Sequence, residues 1–172
     1  LDMPDDIIKG EVDEAKLAMP PKCAEPPRMQ AMTEDIEKAL ATLQAAEKPL
    51  VIVGKGMAWS RAEDEVRAFI ERTRLPFLAS PMGKGVIPDG HPLSAAAARS
   101  QALAEADVIL AMGARFNWMM HFGLPPRFAK DVKVIQVDIA QDMLGGAVPL
   151  ASGLTGDLKA VGDHVIKLPA CN

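Results

Sequence analysis

The hydrophobic positions of this chain fall into short continuous runs, separated by longer stretches in which apolar residues recur at helical spacing. A strand covered on both faces has a continuous apolar run, whereas a helix packed on one side repeats its apolar residues every turn. The continuous runs predict strands at 50–53, 77–79, 107–112 and 133–137, with a less regular fifth near 147–151.

Two helices are predicted before the first and second of these strands. One covers 33–46 and begins at Thr33, which can cap it. The other follows Ser60 and Glu63, whose spacing is typical of a capping box, and ends near residue 76. Its buried stripe is predicted to contain Ala62, Val66, Phe69 and Ile70.

Two more helices are predicted in the second half of the chain. A run of alanines within 94–104 permits close packing on the sheet, and Asp157 starts a last helix whose inward residues are Leu158, Val161, Val165 and Leu168. Strands that alternate with helices through short connections predict the fold class. It is an α/β, doubly wound (Rossmann-like) parallel sheet of five to six strands, flanked by helices.

The first 32 residues differ in composition from the rest of the chain. Five of the 14 prolines lie there, and proline-rich segments favour extended conformations. We therefore expect residues 1–32 to be a linker, 33–168 to form one domain, and 169–172 to be a tail, in a piece of a longer protein. A chain of 172 residues, 49% of them hydrophobic, suits one domain with a sizeable core.

Charge and cysteine content narrow the function classes. A net charge of −4 and a pI of about 5.4 argue against a nucleic-acid-binding surface. No apolar run approaches the roughly 20 residues of a membrane helix, and the acidic start is unlike a secretory signal. Cys23 and Cys171 lie far apart, and the histidines do not group with other metal ligands. We expect reduced thiols, an intracellular protein and no metal site.

Two glycine-containing loops follow the first two strands. In the first, Gly54-Lys55-Gly56, a dinucleotide fingerprint would need a third glycine where this chain has Trp59. The usual NAD pose is therefore not expected, although Lys55 is a candidate phosphate ligand. The second loop, at 79–88, holds two glycines, a lysine and two prolines, and indicates either a ligand-binding loop or an ordinary strand–helix turn.

Charged residues near the other strand ends are further candidates. Asp138 can accept hydrogen bonds from two ribose hydroxyls or cap the following turn. Arg115 can stack on an adenine, pair with a phosphate or remain a solvated surface residue. Arg99 needs a partner or water, and Asp157 is interpreted mainly as a helix cap. No group pairs a nucleophile with its base, and Met119-Met120 are interpreted as core, so the chain alone indicates a binding module.

Several motifs of this chain occur together in one known family. They are Gly54-Lys55-Gly56, the run from Pro76 to Gly85, Ala98-Arg99-Ser100, the run from Gly113 to Trp118, the run from His121 to Arg127, and the run from Val134 to Ile139. In this order they closely resemble the central domain of 2-hydroxyacyl-CoA lyases, with oxalyl-CoA decarboxylase as the nearest relative. The resemblance covers roughly residues 33 to 168.

The resemblance implies a three-domain parent that uses thiamine diphosphate and Mg²⁺ to cleave a 2-hydroxyacyl-CoA into formyl-CoA and a shortened aldehyde. Residues 1–4 resemble the end of the preceding pyrimidine-binding domain, which carries the activating glutamate in the family. The third domain holds the diphosphate and the metal through a GDG…NN motif. Here Gly156-Asp157 is followed by Leu158, and no Asn-Asn pair occurs. The isolated fragment is therefore expected to be inactive, with no catalytic residue.

The resemblance also implies ligands, partners and a location. The parent is expected to be a homodimer or homotetramer, and peroxisomal if it is a eukaryotic lyase. The carried-over adenine-nucleotide (ADP) site is Gly54, Lys55, Gly56, Arg99, Arg115, Asp138, Ile139 and Asp157. The carried-over coenzyme A contacts are Ser80, Pro81, Met82, Gly83 and Lys84.

Three alternatives remain open at the level of the sequence. The first is the central domain of an oxalyl-CoA decarboxylase. The second is a structural spacer that holds two catalytic domains in register without a ligand. The third is a sirtuin-like NAD-dependent deacylase, whose fold is related but whose zinc module usually needs four cysteines, whereas this chain has two.

Overall fold

The computed structural model describes residues 2–25 and 27–165. Its strands form one sheet in the order β2-β1-β3-β4-β5, and every neighbouring pair is parallel. The strands are β1 (Pro49–Val53), β2 (Phe77–Ala79), β3 (Val108–Met112), β4 (Lys133–Asp138) and β5 (Leu150–Thr155). The predicted parallel α/β class is confirmed.

Helices connect and precede these strands. They are α1 (Asp5–Lys9), α2 (Thr33–Gln44), α3 (Gly56–Ser60), α4 (Glu63–Thr73), α5 (Arg99–Glu105) and α6 (Leu158–Val165). Short 3₁₀ segments lie at Glu14–Lys16, Ala96–Ala98, Trp118–Gly123 and Gln141–Met143. Helix α1 and the first 3₁₀ segment bury no residue, and the first buried side chain of the core is Ala31.

Both faces of the sheet are buried. Val51 and Val53 of β1 belong to the cluster that α2, α4 and α6 cover. Leu50 and Ile52 of the same strand belong to a second cluster, which α5 and the segment after β3 cover. Because successive side chains of a strand point to opposite faces, a continuous apolar run is what a doubly covered strand requires.

The order of the strands reverses beside β1. The chain passes from β1 to β2 on one side and then crosses to β3 on the other. The segment after β1 packs Met57 on one face of the sheet, whereas the segment after β3 packs Phe116 on the other. The two loops therefore separate above the carboxyl ends of β1 and β3, where open α/β sheets bind ligands.

Two predicted helix caps are wrong. Helix α2 begins at Thr33 itself, because Met32 is the flanking residue with extended backbone, and no side chain caps it. Helix α4 is preceded by Ala62, whereas Ser60 ends the short helix α3. Ser60 lies inside α3, and the left-handed residue Arg61 and then Ala62 separate it from α4, so it is not in the capping position of that helix.

The predicted helix at 94–104 is shorter than expected and packs differently. The chain before it runs along β2, where Phe77 N donates to Leu93 O at 3.0 Å and Ala95 N donates to Phe77 O at 2.9 Å. This pairing keeps the backbone extended, and α5 begins only at Arg99. Ala96–Ala98 form an exposed 3₁₀ turn and bury no side chain, whereas Ala95 and Ala102 on either side pack against the core.

The fifth strand covers Leu150–Thr155 instead of 147–151, and it lies at the sheet edge. Most of its residues are exposed or half-buried, so the strand lacks the continuous apolar run from which the other strands were predicted. Leu158 and Val161 of α6 are buried as predicted. The expected positions of the Val165 side chain, Leu168, Cys171 and the tail lie outside what the structure describes, and the division of the chain at 32 and 168 stays a prediction.

Candidate functional site

A cavity of about 440 Å³ opens above the carboxyl ends of the strands. Small-molecule sites typically measure roughly 300–1,000 Å³. Residues from the loops after all of the strands line it, so it lies where the strand order reverses. The predicted site residues among its lining are Lys55, Gly56, Ser80, Pro81, Met82, Arg115, Asp138, Ile139 and Asp157. Gly54, Gly83, Lys84 and Arg99 are not among the lining residues.

Backbone hydrogen bonds continue the sheet past the strand ends and form the floor of this cavity. Each one joins the residue after a strand to the end of the neighbouring strand, so the loops are held at fixed positions. The bonds run from Gly54 N to Met112 O (2.9 Å), Gly113 N to Val137 O (2.9 Å), Ser80 N to Val53 O (2.9 Å) and Gly156 N to Asp138 O (3.0 Å).

Close backbone packing explains two of the predicted glycines. A Cβ atom at Gly54 would lie 2.1 Å from the carbonyl oxygen of Gly113, and one at Gly83 would lie 2.2 Å from that of Val53. Neither distance leaves room for a side chain. Both glycines are therefore required by contacts between neighbouring loops, and a direct contact with a ligand stays a prediction.

Lys55 lies directly after β1 at the mouth of the cavity. Its ammonium group is 5.2 Å from the ring centroid of Trp59, which is 76% exposed. Such a cation–π contact is weak at an exposed site. No ion pair joins Lys55 to a carboxylate of the described residues, so its charge is available to an anion.

Asp138 combines the two roles considered from the sequence. It is 5% exposed, and its Oδ1 atom accepts a hydrogen bond of 3.0 Å from Ala140 N, which caps the turn after β4. Its Oδ2 atom lies 3.5 Å from Nε of Arg115. Arg115 is therefore not a solitary surface arginine, because it lines the cavity and faces a buried carboxylate. The ribose and adenine contacts stay predictions.

Asp157 caps α6 as predicted, but it also has a partner that the sequence did not indicate. Its Oδ1 atom accepts hydrogen bonds from Lys159 N at 3.0 Å and Ala160 N at 3.3 Å. Nη1 of Arg28, a residue of the predicted linker, donates to the same oxygen at 2.8 Å. This hydrogen bond raises the pKa of the Arg28 guanidinium above its ordinary value, against the smaller opposing effect of burial.

The predicted coenzyme A loop contributes only part of its length to the cavity. Ser80, Pro81 and Met82 line it, and Met82 is 54% exposed. Lys84 is not among the lining residues and makes an exposed ion pair of 3.6 Å with Asp89. Of the five predicted coenzyme A contacts, the first three therefore line the cavity, whereas Gly83 and Lys84 do not.

Arg99 lies behind the cavity wall. Its Nη2 atom is 3.2 Å from the sulfur of Met120, a buried residue that lines the cavity. Met120 belongs to the core as interpreted, but Met119 is 37% exposed, so the core interpretation of Met119 is wrong. Arg99 therefore contacts a lining residue, and its own contact with a nucleotide stays a prediction.

Sequence reasoning missed several residues of the wall. Some of them follow a strand that was predicted, so their position relative to the strand ends was a usable signal. Others, such as Trp59 and Leu158, carry no chemistry that marks a site. The missed lining residues are Trp59, Ser60, Gly113, Ala114, Asn117, Met119, Met120, Gly156 and Leu158.

The described residues contain no group of three or more His, Cys, Asp or Glu side chains that could hold a metal ion. In the same residues no helix has the length and apolar character needed to cross a membrane. His91 lies away from the cavity and pairs with Glu71 of α4 at 2.7 Å, which lowers the pKa of Glu71. This contact holds the loop after β2 against α4.

Comparison with known proteins gives the class of this domain. Residues 36–165 match the family model described as "Thiamine pyrophosphate enzyme, central domain". The match covers most of the chain, and the parallel sheet with a cavity at its carboxyl edge agrees with it. The chain belongs to this family of thiamine pyrophosphate enzyme central domains.

Individual relatives refine the class. The chain is 45% identical over 167 residues to 2-hydroxyacyl-CoA lyase 1 of Mus musculus, covering 97% of this chain and 29% of the lyase. It is 40% identical over 160 residues to oxalyl-CoA decarboxylase of Escherichia coli K12, covering 92% of this chain and 28% of the decarboxylase. The chain thus spans less than a third of the length of these relatives.

A solved structure supports the fold. Benzoylformate decarboxylase from Polynucleobacter necessarius superposes with a TM-score of 0.69 at 22% identity, covering 91% of this chain and 31% of the decarboxylase. Identity at this level bears on the fold alone. Membership of the thiamine pyrophosphate enzyme family does not support the sirtuin-like deacylase considered from the sequence.

Proposed function

We propose that this chain is the nucleotide-binding central domain of a thiamine-diphosphate-dependent 2-hydroxyacyl-CoA lyase. In this proposal its cavity binds ADP or the ADP-like end of coenzyme A. The observation that carries the proposal is the cavity at the reversal of strand order, which Lys55 enters without an acidic partner among the described residues. A lysine without an acidic partner beside a small-molecule cavity supplies a point charge for a phosphate.

The cavity wall supplies the other groups that an adenine nucleotide needs. The Oδ2 atom of Asp138 lies 3.5 Å from Arg115 Nε, so this oxygen retains capacity to accept a hydrogen bond from a ribose hydroxyl. Arg115 itself can reach a phosphate or stack on the base. Met82 and Ile139 are exposed apolar side chains at the rim and suit a flat, mostly apolar base.

The reaction proposed for the parent is the cleavage of a 2-hydroxyacyl-CoA to formyl-CoA and a shortened aldehyde. Thiamine diphosphate supplies the stabilisation of the carbanion in such chemistry. The cavity described here does not suit its Mg²⁺-diphosphate group, because Asp138 and Asp157 are both engaged by arginines. The role of this chain is therefore to bind and orient the substrate or a nucleotide, and no catalytic step is assigned to its residues.

An oxalyl-CoA decarboxylase parent is the second candidate, supported by the 40% identity to the Escherichia coli enzyme. Both parents handle an acyl-CoA by name, so the same cavity serves either proposal. The acyl group would be selected outside the part of the chain described here, since the cavity wall contains no feature specific for oxalyl or long acyl chains. A peroxisomal location applies only to a eukaryotic lyase parent.

Titration calorimetry of the 172-residue chain with ADP, coenzyme A and NAD tests the proposal. We expect ADP or coenzyme A to bind and Lys55→Ala to weaken binding about tenfold, the typical effect of losing one charge-assisted contact. Lys38→Ala is the matched control, because Lys38 is exposed on α2, where it pairs with Asp35 at 3.6 Å, and is not among the lining residues. A folded chain that binds none of these ligands would refute the proposal and favour a structural spacer.

A further inference from the structure

Arg28 connects two walls of the cavity from outside the matched domain. The family match begins at residue 36, so Arg28 lies in the segment that precedes it. Its Nη1 atom donates to Asp157 Oδ1 and to the Ser60 carbonyl oxygen, each at 2.8 Å. Asp157 starts α6 and Ser60 ends α3, and both line the cavity. One guanidinium therefore fixes the distance between these two walls.

The backbone around Arg28 is built against the same wall. Met29 O accepts a hydrogen bond of 2.7 Å from Asp157 N, and Ala31 is 6% exposed. A Cβ atom at Gly156 would lie 2.8 Å from Ala31 N, so this loop and the segment before α2 pack with no space between them. Arg28 is thus held in place by its neighbours and is not a freely moving surface arginine.

Each carboxylate of the cavity wall is paired with an arginine. Among the described residues, the charged side chains that line the cavity are Lys55, Arg115, Asp138 and Asp157. Arg115 faces Asp138, and Arg28, which is not itself a lining residue, compensates Asp157. Lys55 remains as the lining cation that no carboxylate of the described residues pairs with. Without Arg28, the buried carboxylate of Asp157 would be uncompensated beside any anionic ligand.

We infer that Arg28 is a positioning residue that makes the cavity selective for anionic ligands, by neutralising Asp157 and holding it beside α3. The inference rests on the proposed nucleotide function and adds to it the source of the charge selectivity. The inference also makes the segment before the family-matched domain part of the site. This segment carries Arg28, so its position determines whether the negative charge of Asp157 is neutralised near a bound phosphate.

The test compares a charged and a neutral ligand that share one nucleoside. Calorimetric dissociation constants for ADP and adenosine would be measured with the wild type, Arg28→Ala, Arg28→Lys, Asp157→Asn and the Arg28→Ala/Asp157→Asn double variant. A charge within several ångströms of a phosphate changes affinity by about tenfold. We therefore expect Arg28→Ala to weaken ADP about tenfold and adenosine less than about twofold, with Arg28→Lys intermediate for ADP.

The double variant separates charge from structure. If Arg28 acts by neutralising Asp157, removing both charges restores ADP affinity to within about threefold of the wild type. Asp157→Asn alone keeps a capping residue, so it remains informative if Arg28→Ala does not fold, and we expect it to tighten ADP binding. Arg127→Ala is the control, because Arg127 is exposed, donates to the Ser100 hydroxyl at 3.4 Å and is not among the lining residues.

Four outcomes would overturn the role of Arg28 and leave the proposed function standing. Two concern Arg28→Ala: an equal loss of affinity for ADP and adenosine, or no loss in a folded variant. The other two are no recovery of ADP affinity in the double variant and weaker ADP binding by Asp157→Asn. Urea unfolding of each variant identifies losses that come from the fold. A wild type that binds adenosine but not ADP also overturns it. A folded wild type that binds neither of these ligands nor coenzyme A refutes the proposed function as well.

Discussion

The carboxylate of Asp107 accepts the backbone N–H of Lys48 at 2.9 Å through Oδ1, although the two residues lie 59 positions apart in the sequence. Its Oδ2 atom accepts the N–H of Glu47 at 2.8 Å. Asp107 directly precedes β3, and Lys48 directly precedes β1. One carboxylate therefore holds together the amino ends of the neighbouring strands β1 and β3. The cavity lies at the opposite, carboxyl ends of the strands.

This contact predicts a pH dependence of stability. Burial alone would raise the pKa of Asp107, but the backbone N–H donors, those of Glu47 and Lys48 first, outweigh it and lower the pKa. A carboxylate with a lowered folded-state pKa contributes stability above its ordinary pKa of about 3.9 and loses it as the pH falls through the folded value. We expect Asp107→Ala to reduce the free energy of unfolding by about 1–2 kcal/mol at pH 7.

Urea unfolding at pH 7 and at pH 3 measures this effect. The gap between wild type and Asp107→Ala should shrink at the lower pH, because the wild-type carboxyl group is then losing its charge. Asp6→Ala, in the exposed helix α1, is the matched control and should show no gap at either pH. A gap of the same size at both values would contradict the role assigned to the charge of Asp107.

The floor of the cavity predicts a strong effect at Gly54. A Cβ atom there would lie 2.1 Å from Gly113 O, and the contact is with backbone that cannot rotate away. We expect Gly54→Ala to lower the free energy of unfolding by about 2–3 kcal/mol, in the range of overpacked cores. Gly90→Ala is the control, since nothing lies within 4 Å of its Cβ position. Equal urea midpoints for the two variants would disprove the packing role of Gly54.

The strands and the class of fold could be predicted because both faces of the sheet are covered. Continuous apolar runs such as Leu50 to Val53 occur where side chains of both faces are buried. Helix starts could not be predicted equally well. Ser60 ends the short helix α3, which the sequence did not indicate, and the pairing of Phe77 with Leu93 and Ala95 delays α5. That pairing is a tertiary contact, which local propensity does not contain.

The part of the candidate site that lies on the loops after the strands could be predicted from the topology of the sheet. Loops that follow parallel strands meet at one edge, so Lys55, Ser80, Arg115 and Asp138 were expected to lie near one another. Arg28 could not be found in this way. It pairs with Asp157, 129 positions away, from a segment whose proline content predicts only a linker. No periodicity or motif marks such a contact.

Trp59 should report ligand binding directly. Lys55 lies over its ring at 5.2 Å, and a phosphate that attracts Lys55 would change the surroundings of the indole. The chain has two tryptophans, so Trp118→Phe leaves Trp59 as the single emitter. We expect ADP to change its emission in a saturable way, with the dissociation constant found by calorimetry. The Trp59→Phe variant, which retains Trp118 outside the cavity lining, should show no such change.

The two arginines that the family resemblance assigns to the nucleotide should differ in effect. Arg115 lines the cavity and faces Asp138 at 3.5 Å, whereas Arg99 contacts the sulfur of Met120 from behind the wall. We expect Arg115→Ala to weaken ADP binding about tenfold, because it removes a charged contact and leaves a buried carboxylate uncompensated. Arg99→Ala should change the calorimetric dissociation constant less than about twofold, since a contact through a thioether transmits little charge. Equal losses would mean that the wall rearranges to bring Arg99 to the ligand, and the cavity described here would then not be its bound form.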